Sequence, residues 1–108
     1  MKVSFTETGT ELKLIFQGEC TVEGAEAARS DLMGLFALNA PLLVLDLSLL
    51  TKVDVTFFQL LLAFRRSLLD QGKELLVLKL PADHRVITTG ELLGFYFDHY
   101  FPVGEESL

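Results

Sequence analysis

The run from Leu42 to Leu69, LLVLDLSLLTKVDVTFFQLLLAFRRSLL, limits the choice of fold more than any other part of the chain. Leu42 to Leu47 is nearly continuous apolar, which suits a central strand covered on both faces. Asp46 falls at the expected end of that strand, and a short loop is expected to follow. A second acid, Asp54, opens a strongly apolar helix, predicted from about Val55 to Gln71 with Gly72 as its C-cap. A helix start presents unpaired N–H groups and a positive dipole end. Such an end suits a phosphate or an acidic group of a partner.

The flanking segments alternate strand and helix signals. Val3 and Phe5 lie on one face of a first strand, Gly9-Thr10 reads as a turn, and Leu12, Leu14 and Phe16 alternate again. The two strands read as an antiparallel hairpin, with Gly18-Glu19 ending the second. Thr21 is placed to cap a helix to about Leu38, with Val22, Ala25, Ala28, Leu32, Leu35 and Phe36 on its buried side. Asn39-Ala40-Pro41 stops it. Glu74 to Leu80 reads as another strand, and Ala82 to Leu93 as a helix ended by Gly94. The tail FYFDHYF fits either a short strand or a helical turn. The order β-β-α-β-α-β-α predicts an α/β fold with a mixed sheet, parallel pairs and right-handed crossovers.

At 108 residues the chain is expected to form one domain. A formal net charge of -6 argues against nucleic acid as the main ligand, because phosphate binding needs a basic stripe. The same charge disfavours an anionic membrane surface. No apolar run reaches the roughly 18 residues a membrane span needs, and the start MKVSFTETG lacks an apolar signal core. Cys20 is the one cysteine, which rules out an internal disulfide and fits a cytoplasmic location.

The chain resembles the STAS domain, the fold of bacterial anti-sigma-factor antagonists, over nearly its whole length. Gly18-Glu19 is similar to the family's Gly-Glu-Leu-Asp turn. Val44-Leu45-Asp46-Leu47-Ser48 is similar to its central strand, and Val53-Asp54 to the apolar-Asp pair before its switch residue. Gln59-Leu60-Leu61-Leu62 resembles its second helix. Val86 and Gly94-Phe95 resemble the framework of its third helix. In phosphorylated members a Ser or Thr follows the Asp directly; here that position is Val55, with no hydroxyl, and Thr56 comes next. The Gly that often follows is Phe57. The Asp that ends the family's turn, part of the docking surface in kinase-partnered members, is Thr21. The resemblance implies a retained fold with an altered or lost phospho-switch.

Helical periodicity places Thr56, Gln59, Ala63, Arg66, Ser67 and Asp70 on one side of the second helix. Phe57, Phe58, Leu61, Leu62, Phe64, Leu68 and Leu69 cover the other, and Arg65 falls inside the apolar arc, where it is expected to snorkel. Thr56 is expected at the exposed start of the polar stripe and is the phosphorylation candidate. Asp54 reads both as an N-cap and as a partner contact. Thr21, Asp54, Val55, Thr56 and Gln59 form the expected partner-binding surface, since open α/β folds bind at the carboxyl ends of their parallel strands. Phe57 and Phe58 read as core, and Cys20 as a small, partly buried residue. The tail aromatics Phe95, Tyr96, Phe97, Tyr100 and Phe101 are expected to close the core, with any exposed remainder marking a partner or dimer surface.

No catalytic constellation, cofactor motif or metal-ligand spacing is visible. His84 and His99 are far apart, and Asp46 with Asp54 is a weak cation site. Three functional classes remain. One is a non-catalytic regulatory module acting on an anti-sigma factor or serine kinase, or on a chemotaxis-type histidine-kinase system. The second is an accessory subunit docked on the ATPase of a lipid transporter. The third is a small-ligand or nucleotide sensor.

Overall fold

The structure, a computed structural model, describes residues 2–34, 41–100 and 103–104. Its strands are β1 (Lys2–Thr8), β2 (Glu11–Cys20), β3 (Leu42–Val53), β4 (Glu74–Leu78) and β5 (Val103–Gly104). They lie in one mixed sheet in sequence order, with β1 antiparallel to β2 and every later pair parallel. The helices are α1 (Ala25–Gly34), α2 (Val55–Asp70), α3 (Arg85–Leu92) and the short α4 (Phe97–Tyr100). This is the α/β order predicted, with the ambiguous tail FYFDHYF carrying the helical turn α4; β5, beyond it, was not predicted. Among the described residues no helix is long and apolar enough to cross a membrane.

One face of the sheet carries the core. Leu12, Leu14 and Phe16 of β2 sit beside Leu43, Leu45 and Leu47 of β3 and Leu75 and Val77 of β4, all buried. Phe57, Phe58, Leu61, Phe64 and Leu68 of α2 close over them, joined by Val86 of α3 and by Phe95. On the opposite face of β3, Val44 is buried while Leu42 and Asp46 are half-buried. The expected cover on both faces therefore holds at the strand centre only. Phe57 and Phe58 are core, as predicted. The buried arc of α2 is narrower than predicted: Leu62 is half-buried and Leu69 exposed. The arc follows the steps Phe57, Leu61, Phe64, Leu68, and Leu69 lies a further 100° round the helix.

Two sequence boundaries shift for physical reasons. The first helix does not start at Thr21. Thr21 to Gly24 form a turn closed by the Gly24 N–H on the Thr21 carbonyl (3.0 Å), and the first helical bond runs from Ala28 N–H to Gly24 (3.1 Å). Val22 is therefore exposed rather than buried. Ala28 is buried as expected; Leu35 to Leu38 lie outside the described residues. The central strand does not end at Asp46. It continues to Val53 by way of two irregularities against β2. The register passes from Ile15↔Asp46 to Gln17↔Leu49, and from Gly18↔Leu50 to Glu19↔Lys52. Each step adds one extra residue to β3, the signature of a bulge, which bends and twists the strand. β2 correspondingly runs through Gly18, which has φ +97°, to Cys20 rather than stopping at Gly18-Glu19.

Ser48, in the first bulge, has its backbone groups taken by side chains. Its N–H and hydroxyl donate to Asp46 Oδ1 at 3.0 and 2.6 Å. Its carbonyl lies 3.0 Å from His84 Nε2. His84 is also the N-cap of α3, accepting the Val86 N–H on Nδ1 at 3.1 Å. Because Nδ1 accepts, the proton sits on Nε2 and is donated to Ser48. One imidazole thus starts α3 and pins it to β3. This moves the third helix's start to Arg85, three residues past the predicted Ala82, and β4 ends at Leu78 rather than Leu80.

At the other end of α3 the chain folds back closely. Phe95 N–H donates to the Gly90 carbonyl at 2.7 Å, with Gly94 at φ +81° making the reversal. A Cβ on Gly90 would sit 3.0 Å from the Phe95 carbonyl oxygen and 3.4 Å from the Phe58 ring. Phe58 in turn packs on Phe95 (ring centroids 4.8 Å) and Phe97 (6.1 Å). Tyr100 stacks on Phe95 at 4.9 Å.

Leu45 is fully buried at the sheet centre, whereas Leu49 on the same strand is half exposed. Leu45→Ala should cost about 2–5 kcal/mol in urea unfolding. Leu49→Ala should stay within about 0.5 kcal/mol of the parent. Equal losses would mean the core does not lie where β3 places it.

Candidate functional site

Asp54 joins the two segments that sequence reasoning set side by side. Its Oδ1 accepts the Thr56 N–H at 2.9 Å, and its main-chain carbonyl accepts from Phe57 at 3.1 Å, so it is the N-cap of α2. Its Oδ2 accepts the Val22 N–H at 3.2 Å. The same carboxylate therefore caps the helix and holds the turn after β2. The second bulge makes this geometry possible, since it lies two residues before Val53, which pairs with Cys20 at the end of the ladder.

The predicted surface residues come together around this clamp. Val55 is 50% exposed and Gln59 is exposed, while Thr21 and Asp54 are half-buried. Thr56 is half-buried rather than exposed. Val22, which sequence reasoning put in the core, is 69% exposed beside the clamp. The result is two small apolar side chains, Val22 and Val55, flanking a carboxylate whose oxygens are already engaged. The exposed carboxylates of Glu19 and Glu23 lie in the segment around Val22.

The remaining candidates are structural. Asp46 accepts hydrogen bonds from Ser48 instead of facing Asp54 across a loop. Among the described residues no cluster of three or more His, Cys, Asp or Glu could hold a metal ion. Cys20 is fully buried, deeper than expected, and burial pushes its thiol pKa up, with the Asp54 carboxylate acting in the same direction. The roles of His84 and of Val22 were missed in the sequence. A histidine three residues after a proline, just before an apolar-periodic run, was the one signal available for the cap. Of the tail aromatics, Phe95 is buried and Phe97 half-buried, Tyr96 and Tyr100 are exposed, and Phe101 lies outside the described residues.

Residues 3–95 match the family described as Mlab, STAS domain, and the chain belongs to that family. Its fold is shared by solved anti-sigma factor antagonists. One from Mycobacterium paratuberculosis is 20% identical, with a TM-score of 0.77 over 96% of this chain and 85% of that one. A Ser-to-Glu variant of RsbS from Moorella thermoacetica is 16% identical, with a TM-score of 0.71 over 96% and 86%. SpoIIAA in its unphosphorylated form is 14% identical, with a TM-score of 0.66 over 96% and 88%. Among curated proteins none matches in sequence.

Replacing Asp54 separates its two bonds. Asp54→Ala removes both and should cost about 1–2 kcal/mol in thermal or urea unfolding. Asp54→Asn keeps an oxygen for Thr56 but offers an NH2 where Val22 needs an acceptor. Its amide exchange should rise at Val22 and stay protected at Thr56. Equal protection at both amides would show that the carboxylate does not hold the turn.

Proposed function

We propose that the chain is a non-catalytic docking module that engages a protein partner through Thr21, Asp54, Val55, Thr56 and Gln59. The observation that carries this reading is the Asp54 clamp, which joins the turn after β2 to the start of α2 and leaves Val22 and Val55 exposed there. Exposed apolar side chains rimmed by polar groups are what an interaction surface presents to a partner. The partner proposed first is an anti-sigma factor or serine kinase, or a histidine-kinase signalling component, in keeping with the antagonists that share the fold. The setting is a cytoplasmic bacterial signalling pathway controlling transcription. A second reading is an accessory subunit docked by the same helix on a transporter ATPase. It is favoured by the family match, whose description is Mlab rather than an antagonist.

Val55 has no hydroxyl to phosphorylate. Thr56 does, but a phosphate there would add about -1.5 to -2 charge beside the Asp54 carboxylate. Docking is therefore proposed to be constitutive, with Thr56 the position in the first turn of α2 at which modification would disturb it.

Purification of the partner from the native host distinguishes the readings: a serine-kinase-like ATPase supports the first, a transporter ATPase the second. With that partner, Thr56→Glu should weaken binding while leaving the melting temperature unchanged, because an acidic first-turn residue suits the helix dipole. Tyr96→Ala should bind like the parent. Loss of binding in Tyr96→Ala alone, at preserved stability, would move the docking surface to the C-terminal aromatics.

A further inference from the structure

The outer side of β1 pairs with nothing among the described residues. Natural edge strands are usually blunted by brevity, charged side chains, a proline, a bulge or a covering segment; β1 has charges near its two ends, Lys2 and Glu7, and none from Val3 to Thr6. β1 has seven residues, KVSFTET, without proline or glycine, and its register to β2 runs unbroken from Lys2↔Gln17 to Thr8↔Glu11. Phe5, at its midpoint, is 54% exposed.

We propose that β1 pairs antiparallel with β1 of a second copy, about a two-fold axis through Phe5, making one continuous sheet. A two-fold axis perpendicular to the sheet keeps like faces together, so opposed residues must have the same parity. Centring on Phe5 is the register that pairs all seven residues. Phe5 then meets Phe5, Val3 meets Glu7, Ser4 meets Thr6 and Lys2 meets Thr8. No like charges are opposed.

The charges favour a second copy as the occupant. Within each copy Thr8 is laddered to Glu11, so Lys2 of one copy and Glu11 of the other share a face two strands apart. That is about 10 Å between backbones, a gap two long side chains can close. Two such pairs form per dimer. In the single chain neither residue has an ion pair among the described residues. The strand itself is net neutral, Lys2 against Glu7, in a chain of charge -6 whose copies otherwise repel.

Sedimentation equilibrium should give a mass of twice the 12.0 kDa chain. Phe5→Lys sets two ammonium groups face to face and should yield a monomer with an unchanged circular dichroism spectrum. Lys2→Glu should weaken the dimer at least about tenfold, and Lys2→Glu with Glu11→Lys should restore it. Phe5→Cys should cross-link into a covalent dimer on mild oxidation, since opposed strand residues lie within disulfide reach. Leu92→Cys, 88% exposed, should not, and the native Cys20 is buried. The cross-linking decides the matter should Phe5→Lys fail to fold. A monomeric parent at every soluble concentration would overturn the proposal. So would a dimer that cross-links through Leu92→Cys and not through Phe5→Cys.

Discussion

A single carboxylate accepts hydrogen bonds from Thr56, at the start of α2, and from Val22, 32 residues earlier than Asp54 itself. Much of the candidate site follows from that bridge. It fixes where the longest helix begins and where the turn after β2 must lie. The segment from Thr21 to Gly24 closes as a turn on its own Gly24 N–H to Thr21 carbonyl bond, with Val22 N–H held by Asp54, and α1 starts at Ala25. The Val22 side chain is exposed in that turn. An N-cap alone would leave the turn unfixed, and a turn alone would leave the first N–H groups of α2 unpaired.

The clamp depends in turn on the shape of β3. Its two bulges let a twelve-residue strand reach Val53 while its partner β2 uses fewer residues over the same span. A bulge takes backbone groups out of the ladder, and side chains or water must pair them instead. Asp46 and His84 do this at Ser48. His84 simultaneously begins α3, so α2 and α3 are both started by side chains that also hold another segment. The helix ends show the complementary pattern: Gly72 (φ +74°) and Gly94 (φ +81°) close α2 and α3 with left-handed reversals.

The fold was legible because its signals are local. Alternation in β1 and β2, the continuous apolar run of β3 and the helical period of α2 each follow from nearest neighbours. Gly72 and Gly94 stop their helices by their own backbone freedom. Asp54 was legible as a cap for the same reason. What escaped was everything that depends on a partner distant in sequence. Nothing near Val22 says that its N–H will be claimed by Asp54. Nothing near Ser48 says that an imidazole 36 residues away will take its carbonyl. The strand end placed at Asp46 failed because a polar residue inside a strand looks like a terminus until the bulge that uses it is known. Thr56 looked exposed on a helical wheel, which omits everything outside the helix itself.

The central claim is that the turn after β2 and the start of α2 act as one docking surface because Asp54 holds them together. Site-specific photo-cross-linking in the native host tests it most directly, with a photoreactive residue placed in turn at Val22, Val55 and Leu92. The same partner should be captured from positions 22 and 55 and not from 92, and the capture at 22 should fall when Asp54→Asn is added. Capture from Leu92 alone, or capture at 22 that is indifferent to Asp54→Asn, would contradict a surface built around this carboxylate.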